Sequence, residues 1–203
     1  MKILKIEFLI QEGHFAASSE FQTLLNQIKI AILSVCWPDG SNRFTLYKKK
    51  KANGVVPIKK NCTAYLVRQG WTKEHRMSIA SHLRPGPIDA VRQLSDGRCF
   101  AVEWETGNIS SSHRALNKMA VGLLDGTLAG GVLILPSRDM YQYLTDRIGN
   151  YAEIEPYFPV WKNLSIRDGV LAVIEIEHDD LSMDIPPNPK RYRWQSASII
   201  FYR

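Results

Sequence analysis

Between residues 20 and 35, apolar side chains return every three or four positions, at Phe21, Leu24, Leu25, Ile28, Ile32 and Val35. That period predicts a helix with one buried face. A second stripe of the same period, Leu116, Met119, Ala120, Leu123 and Leu124, predicts another helix. Ser110, Ser111 or Ser112 can cap its first turn, and Gly126 supplies a stop. Elsewhere the pattern is that of strands. Residues 131–135 are continuously apolar or glycine, and within 170–177 Val173, Glu175 and Glu177 alternate with Ile174 and Ile176. Residues 90–94 and 99–105 read as two strands joined by Ser95, Asp96, Gly97 and Arg98, which makes a hairpin. A helix over 139–145 and a β-prone run at 198–202 complete the elements. Together they predict the α/β class, a central mixed β-sheet flanked by helices.

A chain of 203 residues with 45% hydrophobic content buries one substantial core, so residues 1–203 are expected to form a single domain. No repeat or low-complexity segment interrupts it. The formal net charge of +6 and a pI near 9.2 favour a polyanionic partner, although many basic proteins never touch nucleic acid. The run Lys48, Lys49, Lys50, Lys51 reads either as a solvated loop or as a phosphate contact. Cys36, Cys62 and Cys99 lack metal-ligand spacing and read as buried or inert thiols. With no secretory or transmembrane segment in view, a reducing cytoplasm and no membrane partner are expected.

The candidate chemistry lies in the hairpin. Glu103 and Glu105 are two apart on a predicted strand, so they share one face and repel each other when ionised. Asp89, in Gly86-Pro87-Ile88-Asp89, joins that face only if it lies opposite one of them. A two-residue Asp96-Gly97 turn would place Asp89 opposite Trp104, on the wrong side. An odd-length loop using Gly97 at positive φ restores the constellation, and that register is predicted. Three converging carboxylates then suit Mg²⁺, which prefers hard oxygen donors and serves phosphodiester hydrolysis. The plainer reading is a set of solvated charges on an edge hairpin. The adjoining segment weighs against it: residues 105–118 run straight into the second helix, where His113, Arg114 and Lys118 put cations near an N-terminus that disfavours them unless an anion such as phosphate faces it.

These residues resemble the BamHI-like family of type II restriction endonucleases. The resemblance rests on the blocks at 53–59 (Asn-Gly-Val-Val-Pro-Ile-Lys), 86–89, 105–111 (Glu-Thr-Gly-Asn-Ile-Ser-Ser), His113-Arg114, Asn117-Lys118, 143–147 (Tyr-Leu-Thr-Asp-Arg) and 155–158 (Glu-Pro-Tyr-Phe), in family order. It covers the chain from about Ile32 to Phe158 and is loose before and after. It implies a restriction-endonuclease-like fold and Mg²⁺ as cofactor. Asp89 and Glu103 would be the main metal ligands, helped by the main-chain carbonyl of Trp104, with Glu74 a further acidic ligand. Glu105, where the broader nuclease superfamily usually carries Lys, would position or deprotonate the attacking water.

The implied substrate is double-stranded DNA at the palindrome GGATCC, cut to leave 5′-phosphates. Asn108, Ser110, Arg114, Asp146 and Arg147 have the side chains for base reading, since Arg pairs with guanine, Asn with adenine, and Asp accepts from cytosine. For Asp146-Arg147 the alternative is a surface ion pair at a helix end. A palindrome favours a two-fold homodimer, with the stripe at 116–124 and residues 150–158 as candidate interface or simply core. The segment 190–203, with Arg191, Tyr192, Arg193 and Trp194, is expected near the DNA. Two other functions share these features: a DNA-binding protein that has lost cleavage, and a repair nuclease that recognises structure rather than sequence.

Overall fold

A computed structural model describes residues 1–79, 86–145 and 148–189. In chain order its elements are β1 (Lys2–Glu12), α1 (Gly13–Ala17), α2 (Ser19–Leu33), β2 (Thr45–Tyr47), α3 (Val56–Arg68), β3 (Thr72–His75), β4 (Ile88–Gln93), β5 (Cys99–Trp104), α4 (Ile109–Leu124), β6 (Leu128–Pro136), α5 (Arg138–Tyr141), α6 (Tyr151–Ile154), a 3₁₀ turn (Glu155–Tyr157), α7 (Phe158–Lys162), β7 (Gly169–Glu177) and β8 (Asp180–Ser182). Six strands form one sheet in the order β1, β7, β6, β5, β4, β3, and β2 pairs with β8 in a small parallel ribbon. The inner neighbours β5, β6 and β7 run parallel, while β1, β4 and β3 join antiparallel, so the predicted mixed sheet is present.

The parallel centre explains why 131–135 lacks alternation. Helices cover both faces, every residue of β6 is buried, and a strand buried on both sides has no use for polar positions. On one face, α2 and α3 pack Phe21, Ile28, Ile58 and Leu66 against Phe100, Val102, Val132 and Ile174. On the other, α4, α6 and α7 pack Leu116, Met119, Ile154 and Trp161 against Ala101, Leu133, Leu171 and Val173. The ring of Phe100 lies 5.9, 6.1 and 6.2 Å from those of Phe15, Phe21 and Trp71, which concentrates apolar area where the first layer meets the sheet. Burying each such side chain contributes about 1.5–3 kcal/mol.

Helix α2 follows the predicted stripe: Ser18 caps it by accepting the Phe21 N–H at 3.1 Å, and Val35 is buried just beyond its end. Helix α4 departs in two ways. Its cap is Asn108 rather than a serine, and Leu124 is exposed because the buried stripe ends at Leu123. That stripe, with Tyr151, Ile154 and Phe158, is core of this same chain, so the face at 116–123 is not free for a partner. The predicted 139–145 helix shrinks to the single turn α5, since Leu144 and Thr145 turn away to pair with Asn53. Lys48 to Lys51 are exposed, and 190–203 lies outside the described residues. No helix among the described residues is long and apolar enough to cross a membrane.

The hairpin between β4 and β5 sets the position of the candidate chemistry. Its loop is odd: Leu94 and Arg98 face each other across Ser95, Asp96 and Gly97, with Leu94 N–H to Arg98 C=O at 2.9 Å and Gly97 N–H to Leu94 C=O at 3.1 Å. Gly97 takes φ of 89°, and Asp96 accepts from Arg98 N–H at 2.9 Å and Nε at 2.7 Å. Ala90 consequently pairs with Val102, and the next step along brings Asp89 to Glu103, as predicted. Gly97→Ala places a Cβ in the left-handed region and is expected to lower unfolding free energy by about 1–2 kcal/mol, read from urea denaturation with an unchanged m-value.

Candidate active site

At Asp89 the strands β4 and β5 stop pairing through their backbones alone and brace each other through side chains. The Asp89 carboxylate accepts the Trp104 N–H at 2.9 Å, and the Glu103 carboxylate accepts the Asp89 N–H at 3.4 Å. Each acid thus satisfies a main-chain donor of the opposite strand, which fixes both carboxylates relative to the sheet. Trp104 buries its indole on the α2 side and pins the backbone between Glu103 and Glu105. Glu103 is nearly sealed from water at 9% exposure, and Asp89 is half-buried.

Each of the two acids carries a lysine from a different layer. Lys59 of α3 pairs with Asp89 Oδ1, and Lys118 of α4 pairs with Glu103 Oε1. Burial pushes the Glu103 carboxyl above its ordinary range, the Lys118 ammonium opposes that shift, and the neighbouring Asp89 charge adds to it. Cys62, one turn along α3 from Lys59, has its thiol pushed up to about 12 by burial and by the Asp89 charge. It stays protonated and is a poor nucleophile or ligand.

Glu105 leaves the sheet at the end of β5. Its N–H donates to Ile134 C=O at 3.2 Å, and its carboxylate accepts the Gly107 N–H at 2.6 Å. The expected convergence of three carboxylates is therefore not preformed: among the described residues, no three His, Cys, Asp or Glu side chains stand close enough to hold an ion. The structure brings together two, Asp89 and Glu103. Glu74 sits on β3 between the registered pairs Lys73–Ala90 and His75–Ile88, level with Asp89. It is exposed, lies 3.6 Å from Lys73 Nζ, and has φ of 50°. A non-glycine residue there is strained, and such strain gathers at functional sites. Glu74 and Asp89 line one cleft of about 550 Å³ with Lys59, Lys60, Lys73 and Thr106. Buried or cleft-facing carboxylate oxygens without a soft donor are the set that Mg²⁺ accepts, so these residues fit such an ion.

Asn108 accepts the Ser111 N–H at 3.1 Å as the cap of α4. Asn108, Ser110 and Arg114 are exposed there, with Arg114 donating to Ser111 Oγ at 3.1 Å. The other two basic residues of this helix have partners within the chain. His113 packs edge-on against Tyr157 at 4.6 Å and tilted over Trp161 at 5.8 Å, and Lys118 is taken by Glu103. Asp146 and Arg147 lie outside the described residues.

Sequence reasoning missed the pairing of Lys59 and Lys118 with the acids, because neither spacing is local. It also missed the work of Asn53, which is fully buried. The Asn53 side chain accepts from Tyr47 N–H at 3.0 Å and donates to the carbonyls of Tyr47 and Tyr143, each at 2.9 Å. The Asn53-Gly54 block is thus a structural knot, and a buried amide with several partners is its physical signature.

Comparison with known proteins extends the geometry. The family model for restriction endonuclease BamHI matches residues 1–192. The type II restriction enzyme OkrAI of Oceanobacter kriegii is 51% identical over 190 residues, covering 94% of this chain and 96% of that enzyme. The type II restriction enzyme BamHI of Bacillus amyloliquefaciens is 37% identical over 161 residues, covering 75% of this chain and 76% of that enzyme. Among solved structures, restriction endonuclease BglII complexed with a DNA 16-mer superposes with a TM-score of 0.61 at 11% identity, over 88% of this chain and 79% of that one. Free BglII superposes with a TM-score of 0.50 at 13% identity, over 88% and 81% of the two chains. At such identity these two likenesses speak for the restriction-endonuclease-like fold alone.

The Lys118–Glu103 pair carries its own prediction. Removing one partner of a buried pair leaves an uncompensated charge, so Lys118→Met in metal-free buffer is expected to cost about 3–5 kcal/mol in urea denaturation. Combining it with Glu103→Leu is expected to recover most of that loss. Unchanged stability of Lys118→Met alone would show that the pair contributes nothing.

Proposed function

The chain belongs to the BamHI restriction endonuclease family and is a type II restriction enzyme, and on that premise we propose that it is a Mg²⁺-dependent homodimer that hydrolyses both DNA strands at GGATCC and leaves 5′-phosphates. The observation that carries the catalytic part is the cross-braced pair Asp89 and Glu103, of which Asp89 lines a cleft together with Lys59, Lys60 and Lys73. Asp89 and Glu103 would hold the ion, with Glu74 and the Trp104 carbonyl completing its protein ligands. When bound, Mg²⁺ supplies charge neutralisation at the phosphate and a lower pKa for water.

The chain's own groups do the rest. Glu105 takes the proton of the water that attacks the phosphorus in line, and the bond to the 3′-oxygen breaks, that oxygen leaving as a 3′-hydroxyl with a proton from solvent water. Its carboxylate is already oriented by the N–H of Gly107, two residues further along the chain. Lys60 and Lys73, on the walls of the cleft, face the DNA backbone and contribute to affinity without regard to sequence. No covalent intermediate is needed, in keeping with the protonated Cys62 thiol. Base reading falls to Asn108, Ser110 and Arg114 at the exposed start of α4 and to Asp146 and Arg147. The identity to two type II restriction enzymes supports GGATCC as the site through the blocks shared with that family. A palindrome cut on both strands calls for two copies related by a two-fold axis.

Digestion of a fully sequenced plasmid is the direct test. Mg²⁺-dependent cuts at GGATCC with 5′-phosphate ends, lost in Asp89→Asn, are expected. Discrete cuts at another sequence would retain the chemistry and reassign the base-reading residues, and retention of the plasmid without cutting would overturn the nuclease. Arg147→Ala is expected to lose about 1–3 kcal/mol of discrimination between cognate and single-mismatch duplexes. Equal weakening on cognate and random DNA would remove Arg147 from the base readers.

A further inference from the structure

Each acidic residue assigned to the metal has a lysine of its own. Lys73 lies 3.6 Å from Glu74, Lys59 contacts Asp89, and Lys118 contacts Glu103. Lys73 directly precedes Glu74 on β3, so that contact is local and exposed, whereas Lys59 of α3 and Lys118 of α4 reach acids on β4 and β5 that no helix or strand spacing brings to them. The pairs at Asp89 and Glu103 differ from ordinary surface ion pairs. Lys118 and Glu103 have side chains only 13% and 12% exposed, and Asp89 is 13% exposed against 38% for Lys59.

An ammonium in contact with a carboxylate oxygen takes up one of its lone pairs and repels a dication that approaches the same oxygen. A dication therefore has to displace it. A displaced ammonium cannot stay inside a low-dielectric site without an anion, and a DNA phosphate brought over the cleft that Lys59 and Asp89 line is such an anion. Resting on the proposed metal site, we infer that Lys59 and Lys118 are exchangeable counter-cations that hold Asp89 and Glu103 in the metal-free protein and yield them to the divalent ion as DNA phosphate takes the ammoniums. The two lysines are positioning residues in this scheme. Its consequence is a positive coupling between metal and DNA: metal binds weakly to the free protein, more strongly once DNA is in place, and the reverse holds by linkage.

The test reads metal binding rather than cleavage. Ca²⁺ is titrated calorimetrically into the DNA-free full chain and into Lys59→Met, Lys118→Met, Lys60→Met and Asp89→Asn, each checked for folding by circular dichroism. Lys59→Met, at the exposed end of its pair, keeps the test valid even where Lys118→Met does not fold. Lys59→Met is expected to bind Ca²⁺ roughly tenfold more tightly than the natural chain, within the usual range of a coupling between sites. Lys60→Met removes the same charge from the same cleft and is expected to change affinity by about twofold or less, since exposed charges are screened. A saturating DNA duplex is expected to tighten Ca²⁺ binding in the natural chain and to do so much less in Lys59→Met. Unchanged or weaker Ca²⁺ binding in Lys59→Met, or an equal gain in Lys59→Met and Lys60→Met, overturns the exchange while leaving the metal site standing. Ca²⁺ binding that survives Asp89→Asn overturns the metal site and the exchange together.

Discussion

Negative charge held out of water must be matched by positive charge, and the arrangement around β4 and β5 answers to that constraint. Glu103 is nearly enclosed, Asp89 stands across from it, and repulsion between two such acids would open the sheet were nothing placed against them. The two covering layers meet the demand from opposite sides, α3 through Lys59 and α4 through Lys118. The helices are therefore more than walls for the apolar core. Each has one face turned to the sheet and one cation placed at the point where the sheet ceases to be apolar.

The rest of the scaffold keeps that point fixed. The parallel centre of the sheet is buried on both faces and gives β5 a rigid neighbour in β6, up to the pair Trp104–Ile134. On its other side β5 is held by β4 only as far as Ala90–Val102, and beyond this the side chains of Asp89 and Glu103 take over main-chain donors. The fold thus changes from backbone pairing to side-chain pairing within one residue. Carboxylates set at the end of an otherwise complete ladder are held on a rigid base, and the one that lines the cleft, Asp89, stands at its edge.

Much of this was legible in the chain because it is local. The stripe of Phe21, Leu24, Leu25, Ile28 and Ile32 becomes the buried face of α2, and the parity argument about Gly97 gives the observed register of Asp89 and Glu103. Other features were hidden for physical reasons. Strand β1 carries register shifts between Ile3 and Lys5 and between Phe8 and Ile10, which break the alternation by which a strand is read. Ile3, Ile6 and Phe8 consequently pack on one side while Leu9 and Ile10 pack on the other. Helix α3 has Val55 at its N-cap and no side-chain cap bond, so the usual polar signal of a helix start is missing there. The site itself divides in the same way. The carboxylates announced themselves by spacing, whereas the partners of Lys59 and Lys118 depend on how layers stack, and the cap of α4 shifted to Asn108 because an amide two residues earlier reaches the Ser111 N–H.

The three-residue loop at Ser95, Asp96 and Gly97 also constrains how such a gene can change. Side chains alternate along a strand, so gaining or losing a single codon between Asp89 and Glu103 turns one acid to the far side of the sheet from the other. Gaining or losing two codons in the loop keeps them together. Length variation between these two acids is therefore subject to a rule of parity: only even steps in the hairpin keep both carboxylates on one face of the sheet.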